Sequence, residues 1–113
     1  MAHQNSFPAH MSAIEQEIAN RIITSALDAD MSISVFNGKE VTLRKSTDRE
    51  AIQRETAACG ETLYLFYRAD GSRLGNVWLV HGNDHDMISD YYADLEELDA
   101  LLEPAISYAD GEA

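Results

Sequence analysis

The chain has a single cysteine, Cys59, only two prolines, and no apolar stretch of the roughly 18 residues that a membrane-spanning helix needs. One cysteine cannot form an intramolecular disulfide, so the cysteine content does not indicate an oxidising compartment. No segment combines the basic start and the apolar run of a secretory signal. These absences predict a cytoplasmic protein that folds without disulfides and does not enter a membrane.

Lysine and arginine are absent after Arg73. The formal net charge of the 113 residues is −12. Residues 84–113 hold ten acidic residues and no Lys or Arg, whereas residues 1–83 hold the other ten acidic residues and all eight bases. Such a chain repels the backbone of nucleic acids and anionic membranes, so we expect it to bind neither directly. A protein with a basic surface is the natural complement.

The length and the hydrophobic fraction of 45% predict one globular domain rather than two or a disordered chain. Residues 1–11 are polar, without periodicity, and are expected to form a flexible leader. The folded domain is predicted at residues 12–109, and a frayed tail at residues 110–113.

Two amphipathic segments predict the first and last helices. The first begins at Ser12, which forms a capping box with Glu15, and ends near residues 28–30, with Glu15 on its polar side. The last is expected from about Asp94, with a leucine stripe on one side and acids on the other. Pro104 is expected to kink or interrupt it.

A shorter middle helix is predicted after a second capping box, formed by Thr47 and Glu50. We expect it to run to Cys59, with Gly60 ending it in the left-handed conformation. Cys59 would then lie near the negative end of the helix dipole, which disfavours a reactive thiolate, and a small core cysteine is the better interpretation.

Alternating apolar residues predict two hairpins. Residues 31–35 and 40–44 flank Asn37-Gly38, a pair typical of a type I′ turn because both residues tolerate positive φ. Residues 62–67 and 74–80 form the second hairpin. Residues 87–91 are either a fifth strand or the approach to the last helix.

The order α-β-β-α-β-β-(β)-α predicts an α+β fold, with three helices on an antiparallel sheet of four or five strands. If all helices share one face, the other face is left to aromatic strand residues and is expected to become a homodimer interface. We expect this face to include Tyr64, Phe66, Tyr67 and Trp78.

The loop at residues 81–86 is the densest cluster of candidate metal ligands. Imidazole and carboxylate together suit zinc, iron or manganese. There is no HExxH, no CxxC and no calcium-binding loop, however, and adjacent side chains do not easily point at one ion. A solvated polar loop is the favoured interpretation. A metal-dependent enzyme remains the alternative, with the ligands His81, His85 and Asp86.

No motif for covalent catalysis or cofactor binding is present, so we predict a protein that is not an enzyme and has no cofactor. The acids of the last helix have two interpretations, which are simple solvation and a binding surface for a basic partner. The residues predicted to bind that partner are Asp94, Glu96, Glu97, Asp99 and Glu103.

Several short segments resemble small, uncharacterised acidic proteins of bacteriophages and prophages of proteobacteria. The segments are residues 34–38, 46–49, 75–80, 88–91 and 101–104. The resemblance implies an accessory protein that acts on host machinery by binding it. The leading hypothesis is therefore a non-enzymatic, dimeric protein that binds, and blocks, a basic surface of a host protein. A structural subunit without a ligand is the further alternative.

Overall fold

The computed structural model describes residues 6–57, 60–91 and 96–112. They form an α+β fold with a five-stranded antiparallel sheet, which confirms the predicted fold class. Of the two alternatives for residues 87–91, the structure shows the strand. A 3₁₀ turn, Asp84–Asp86, precedes the fifth strand, and a π-helical turn, Tyr108–Glu112, follows the last helix. The other elements are α1 (Ala13–Asp28), β1 (Ser32–Phe36), β2 (Val41–Ser46), α2 (Arg49–Glu55), β3 (Glu61–Tyr67), β4 (Arg73–Val80), β5 (Ile88–Tyr91) and α3 (Glu96–Ser107).

The strand order in the sheet is β2-β1-β3-β4-β5, and every neighbouring pair is antiparallel. The two edges are therefore β2 and β5. One face of the sheet packs against the helices, and the side chains on both sides of this contact are fully buried. Core residues of the sheet include Ile33, Val35, Tyr64, Phe66, Val77 and Leu79, and those of the helices include Ile18, Ile22, Ile52, Leu98 and Leu102.

The two aromatic residues Tyr64 and Phe66 belong to this core, with no exposed surface. The prediction that these two residues lie on the uncovered face was wrong. Even-numbered residues of β3 point towards the helices, and odd-numbered residues point away, because side chains alternate along a strand. Tyr67 and Trp78 do lie on the uncovered face, as predicted, and Trp78 is 45% exposed.

The helix caps differ in part from the prediction. Ser12 accepts the N–H of Glu15 at 3.1 Å, but the Glu15 side chain is buried elsewhere, so only half of the first capping box forms. The cap of α2 is Asp48, whose carboxylate accepts the N–H groups of Glu50 and Ala51. Aspartate stabilises this position through its hydrogen bonds and its charge at the helix N-terminus.

The middle helix is shorter than predicted and ends at Glu55. The residue in the left-handed conformation is Ala57, at φ +62°, and not Gly60. The turn comes early because the Thr56 hydroxyl is tied to the Ile52 carbonyl and to the Tyr64 hydroxyl. Cys59 lies outside the described residues.

Residues 6–11 are packed on the domain, although residues 1–11 were predicted to be a flexible leader. Phe7 is 9% exposed and Met11 is 5% exposed, and both join the hydrophobic core. The N–H of Ser6 donates to the side-chain oxygen of Gln53 at 2.8 Å. Two apolar side chains in an otherwise polar segment are enough to dock it. The first five residues lie outside the described part of the chain.

One local prediction needs correction, and the expectation of a kink or an interruption at Pro104 is narrowed. The first hairpin turn is not type I′, because Gly38 has φ +98° while Asn37 has no positive φ and instead accepts two N–H groups through its side chain. Pro104 does not interrupt α3, which continues to Ser107. The carbonyl that loses its helical donor belongs to Ala100, an exposed residue, so water can satisfy it. None of the described helices is long and apolar enough to cross a membrane.

Candidate functional site

The acidic residues of α3 lie on its outer side. Its inner side is buried through Leu98 and Leu102, so the helix is held firmly on the domain. Glu96, Asp99 and Glu103 are exposed and follow the helical spacing of three and four residues, which places them in one stripe. We call these three residues the α3 acidic stripe.

Bases neutralise little of this surface. Glu97 forms an ion pair with Arg68 at 3.0 Å, and both side chains are partly exposed. Within the part of the chain that the structure describes, no ion pair involves Glu96, Asp99 or Glu103, and the last of these accepts only the Ser107 hydroxyl. Asp94, also predicted to bind a partner, lies outside the described residues.

The side chains of the 81–86 loop do not converge. His81 points inwards, and its side chain is 7% exposed. His85 and Asp86 are exposed, and the His85 ring lies 6.1 Å from the Tyr108 ring. Among residues 6–57, 60–91 and 96–112, no group of three His, Cys, Asp or Glu side chains could hold a metal ion. The metal-enzyme alternative therefore gains no support from this geometry.

The start of this loop instead binds Glu15 of α1. The N–H groups of Gly82, Asn83 and Asp84 all donate to Glu15 Oε2, at 2.8, 2.8 and 2.7 Å. Gly82 has φ +96° and Asp84 has φ +50°, so the successive N–H groups curve round one oxygen and form an anion-binding nest. The nest stabilises a carboxylate in a residue that is only 2% exposed.

The sequence interpretation missed this role of Glu15 and placed the residue on the polar side of the helix. A signal was present, because Glu15 is four residues before Ala19 and seven before Ile22, which are both buried. A carboxylate within an apolar stripe predicts a buried charge that needs partners. Backbone N–H groups carry no residue signature, so the partner loop could not be identified in the same way.

A chain of polar contacts continues from Glu15 through His81 to Thr62. The Thr62 oxygen accepts the N–H of Ala57 at 2.9 Å, and the Thr62 hydroxyl is hydrogen-bonded to His81 Nε2 at 2.7 Å. We assign the imidazole hydrogen to Nδ1, because this atom faces the Glu15 carboxylate, 3.7 Å from Oε1, so Nε2 accepts the Thr62 hydroxyl. Nδ1 has no hydrogen-bond partner among the described residues.

This hydroxyl–imidazole–carboxylate order is also that of a catalytic triad. Thr62 is only 1% exposed, however, and no substrate carbonyl can reach its oxygen. An open cleft of about 390 Å³ lies beside the chain and is lined by residues that include His10, Glu15 and His81. The Nδ1 atom of His81 has no exposed surface there. The contacts consequently hold the loop to α1 rather than offering groups to a ligand.

Burial makes stability depend on pH through His81. Loss of hydration lowers the pKa of its imidazole below the ordinary value, and Glu15 offsets this only in part. The unfolded chain therefore binds a proton at higher pH than the folded protein does. The free energy of unfolding should be independent of His81 above its ordinary pKa, about 6.5, and should fall as the pH decreases below it.

Urea titrations at pH 7.5, 6.5 and 5.5 check this prediction, with His81→Gln compared with the wild type. Gln retains a polar group near Thr62 but does not titrate, so we expect a smaller loss of stability between pH 7.5 and 5.5. The control is His85→Gln, which changes an exposed imidazole. Equal pH slopes for His81→Gln and the wild type would contradict the prediction.

Comparisons with protein-family models, with curated proteins and with solved structures found no match.

Proposed function

We propose that this protein acts without catalysis by binding a basic surface of another protein through the α3 acidic stripe. The observation that carries the proposal is that Glu96, Asp99 and Glu103 are exposed and form no ion pair with any described residue, on a helix whose opposite side is buried. Carboxylates on a rigid scaffold attract a positively charged partner and accelerate its association.

The wider charge distribution supports the same proposal. All eight bases precede residue 74, and five of them lie in residues 39–54, around β2 and α2 at the far edge of the sheet from β5. The bases are thus concentrated away from the acids of α3, although Glu40, Asp48 and Glu50 lie among them. A separated charge distribution orients an approaching basic protein, whereas an evenly mixed surface of the same net charge does not.

The partner in this proposal is a protein of a proteobacterial host, and the protein itself is an accessory factor of the phage or prophage type. The resemblance of residues 75–80 and 88–91 to such proteins supports this choice. If that basic surface binds nucleic acid, the bound α3 acidic stripe would exclude the nucleic acid from it.

Reversal of the stripe tests the proposal. The triple variant Glu96→Lys, Asp99→Lys and Glu103→Lys should reduce affinity for the captured partner at least about 30-fold, because three favourable charge contacts become repulsive. The partner is first captured from a proteobacterial lysate on immobilised wild-type protein and identified by mass spectrometry. Affinity is then measured by calorimetry with the purified partner.

The matched control reverses three exposed acids elsewhere, Asp28, Glu40 and Glu50, and therefore has the same net charge. We expect the affinity of this control for the partner to stay within about threefold of the wild-type affinity. Wild-type affinity should also decrease as salt increases from about 50 to 500 mM. Equal losses in the two triple variants, or binding that does not respond to salt, would exclude the stripe as the contact surface.

A further inference from the structure

The sheet face that points away from the helices carries a row of partly exposed apolar side chains, with Ser34 and Asn76 among them, and no described element covers that row. Trp78 is 45% exposed there, whereas its neighbours Val77 and Leu79 on the other face are fully buried. Among the described residues, Trp78 is the one large hydrophobic residue that is exposed. We call this surface the open face; its partly exposed apolar members besides Trp78 include Phe36, Leu63, Leu65 and Tyr67.

Opposite charges lie at the two margins of the open face. At the β2 margin, Lys45 Nζ is 4.7 Å from the centre of the Tyr67 ring, so its ammonium lies over the open face. At the β5 margin, Asp90 pairs in register with Trp78 and therefore shares its face. Lys45 and Asp90 are both exposed.

We propose that the open face packs against the open face of a second copy, about a two-fold axis that runs along the strands. Rotation about this axis lays β2 of each copy over β5 of the other, so Lys45 faces Asp90 of the partner copy. A two-fold axis across the strands would instead lay β5 over β5 and bring like charges together. Charge complementarity thus selects both the occupant of the face and the direction of the axis.

The proposed arrangement has measurable distances. Strands are about 4.8 Å apart and packed sheets about 10 Å apart. The register places Lys45 about two residues further along the strands than Asp90. The Cα atoms of residue 45 and of the partner copy's residue 90 should therefore be about 12–15 Å apart, and the two residues 90 more than about 20 Å apart. An axis across the strands exchanges these two values.

This dimer is independent of the proposed partner binding. α3 packs on the covered face of the sheet through Leu98 and Leu102, so its acidic stripe remains exposed when two open faces meet. A dimer that fails to form leaves the stripe proposal intact, and loss of partner binding leaves the dimer intact.

Sedimentation equilibrium of the full chain tests whether the face is an interface. We expect a dimer for the wild type at about 50 μM and a monomer for Trp78→Glu, with a dissociation constant increased at least about 100-fold, because a charge would be buried in an apolar contact. Ala100→Glu adds the same charge on the exposed side of α3 and should leave the dimer unchanged. A wild-type monomer at 50 μM, or a dimer that tolerates Trp78→Glu, would overturn the proposal.

A charge exchange tests the axis. Lys45→Glu and Asp90→Lys should each weaken the dimer about tenfold, and the double variant should recover affinity to within about threefold of the wild type. Lys39→Glu and Asp28→Lys are the corresponding controls. Single cysteines at residue 45 or at residue 90, in a Cys59→Ser background, carry the spin labels, and the two labelled proteins are mixed so that one Lys45–Asp90 pair remains in each mixed dimer. The distance between residue 45 of one copy and residue 90 of the other should be shorter than the distance between the two residues 90. A shorter distance between the two residues 90 would overturn the proposed axis.

Discussion

Replacement of Glu15 by alanine should lower the free energy of unfolding by about 3 kcal/mol, a large share of the total for a domain of this size. The change removes a carboxylate that accepts three N–H groups at 2.7–2.8 Å. Charge-assisted hydrogen bonds are about twice as strong as neutral ones, but water can reach the exposed loop after the truncation and recover part of the loss. Urea denaturation at pH 7.5 measures the change.

Two variants separate the nest from a general effect of charge. Glu15→Gln keeps the shape and one acceptor oxygen, so it should be about half as destabilising as Glu15→Ala. Glu17→Ala removes a neighbouring carboxylate whose ion pair with Arg21 is partly exposed, and should change stability by less than about 1 kcal/mol. Similar effects for Glu15→Ala and Glu17→Ala would show that the nest contributes little.

The Glu15 nest also links α1 to the C-terminal part of the domain. It fixes the loop that leads into the Asp84–Asp86 turn, and this turn packs against the Tyr108–Glu112 turn that follows α3. Arg21, on the same helix as Glu15, lies 4.6 Å from the Tyr108 ring. α1 thus positions the C-terminal acidic region through both contacts. Weakening of the nest is expected to loosen the 82–86 loop before it unfolds the sheet.

The features predicted correctly from sequence are those with a local physical cause. Residues 13–28 form the first helix because a cap and a periodic apolar stripe coincide there. The two hairpins follow from alternation and from turn residues, and the short connection within each hairpin makes its two strands antiparallel. The sequence left residues 87–91 open between a strand and the approach to the last helix, and it did not predict that β3 pairs with β1. The exposed α3 stripe was predicted because the leucines of that helix define its buried side.

The features that were missed depend on contacts between distant segments. Glu15 and the 82–84 loop are more than 65 residues apart in sequence, and the hydrogen-bond donors to the Glu15 carboxylate are backbone N–H groups, which any residue except proline supplies. Phe7 and Met11 join the core only because the folded domain offers them a surface. Shifting the alternation along β3 by one residue moves every side chain of the strand to the opposite face of the sheet. Because residues 62–67 are apolar on both faces, the sequence pattern does not determine which side chains face the helices.

A dimer through the open face would strengthen partner binding without any new contact. Each dimer carries two α3 acidic stripes, and a host protein with repeated or extended basic surface would meet both. The second contact is then intramolecular, and overall affinity increases as far as the geometry allows simultaneous binding. The Trp78→Glu monomer should consequently lose more affinity for an oligomeric partner than for a monomeric one.

Phe66 and Trp78 provide the clearest test of which sheet face is the core. Phe66→Ala should lower the free energy of unfolding by about 4 kcal/mol, because its fully buried ring leaves a cavity that the packed helices cannot fill. Trp78→Ala removes a larger ring and should have an effect below about 1 kcal/mol, because Trp78 is 45% exposed in the single chain.

Both variants should be measured by urea denaturation at about 1 μM, where dimer formation contributes little to stability. Leu63→Ala is the matched control on β3, since Leu63 pairs with Trp78 on the open face and is only partly buried. We expect its effect to lie between the other two. If Trp78→Ala destabilised the single chain as much as Phe66→Ala, both faces of the sheet would be covered in the single chain. The open face would then not be available to a second copy, and the proposed dimer contact would lose its basis.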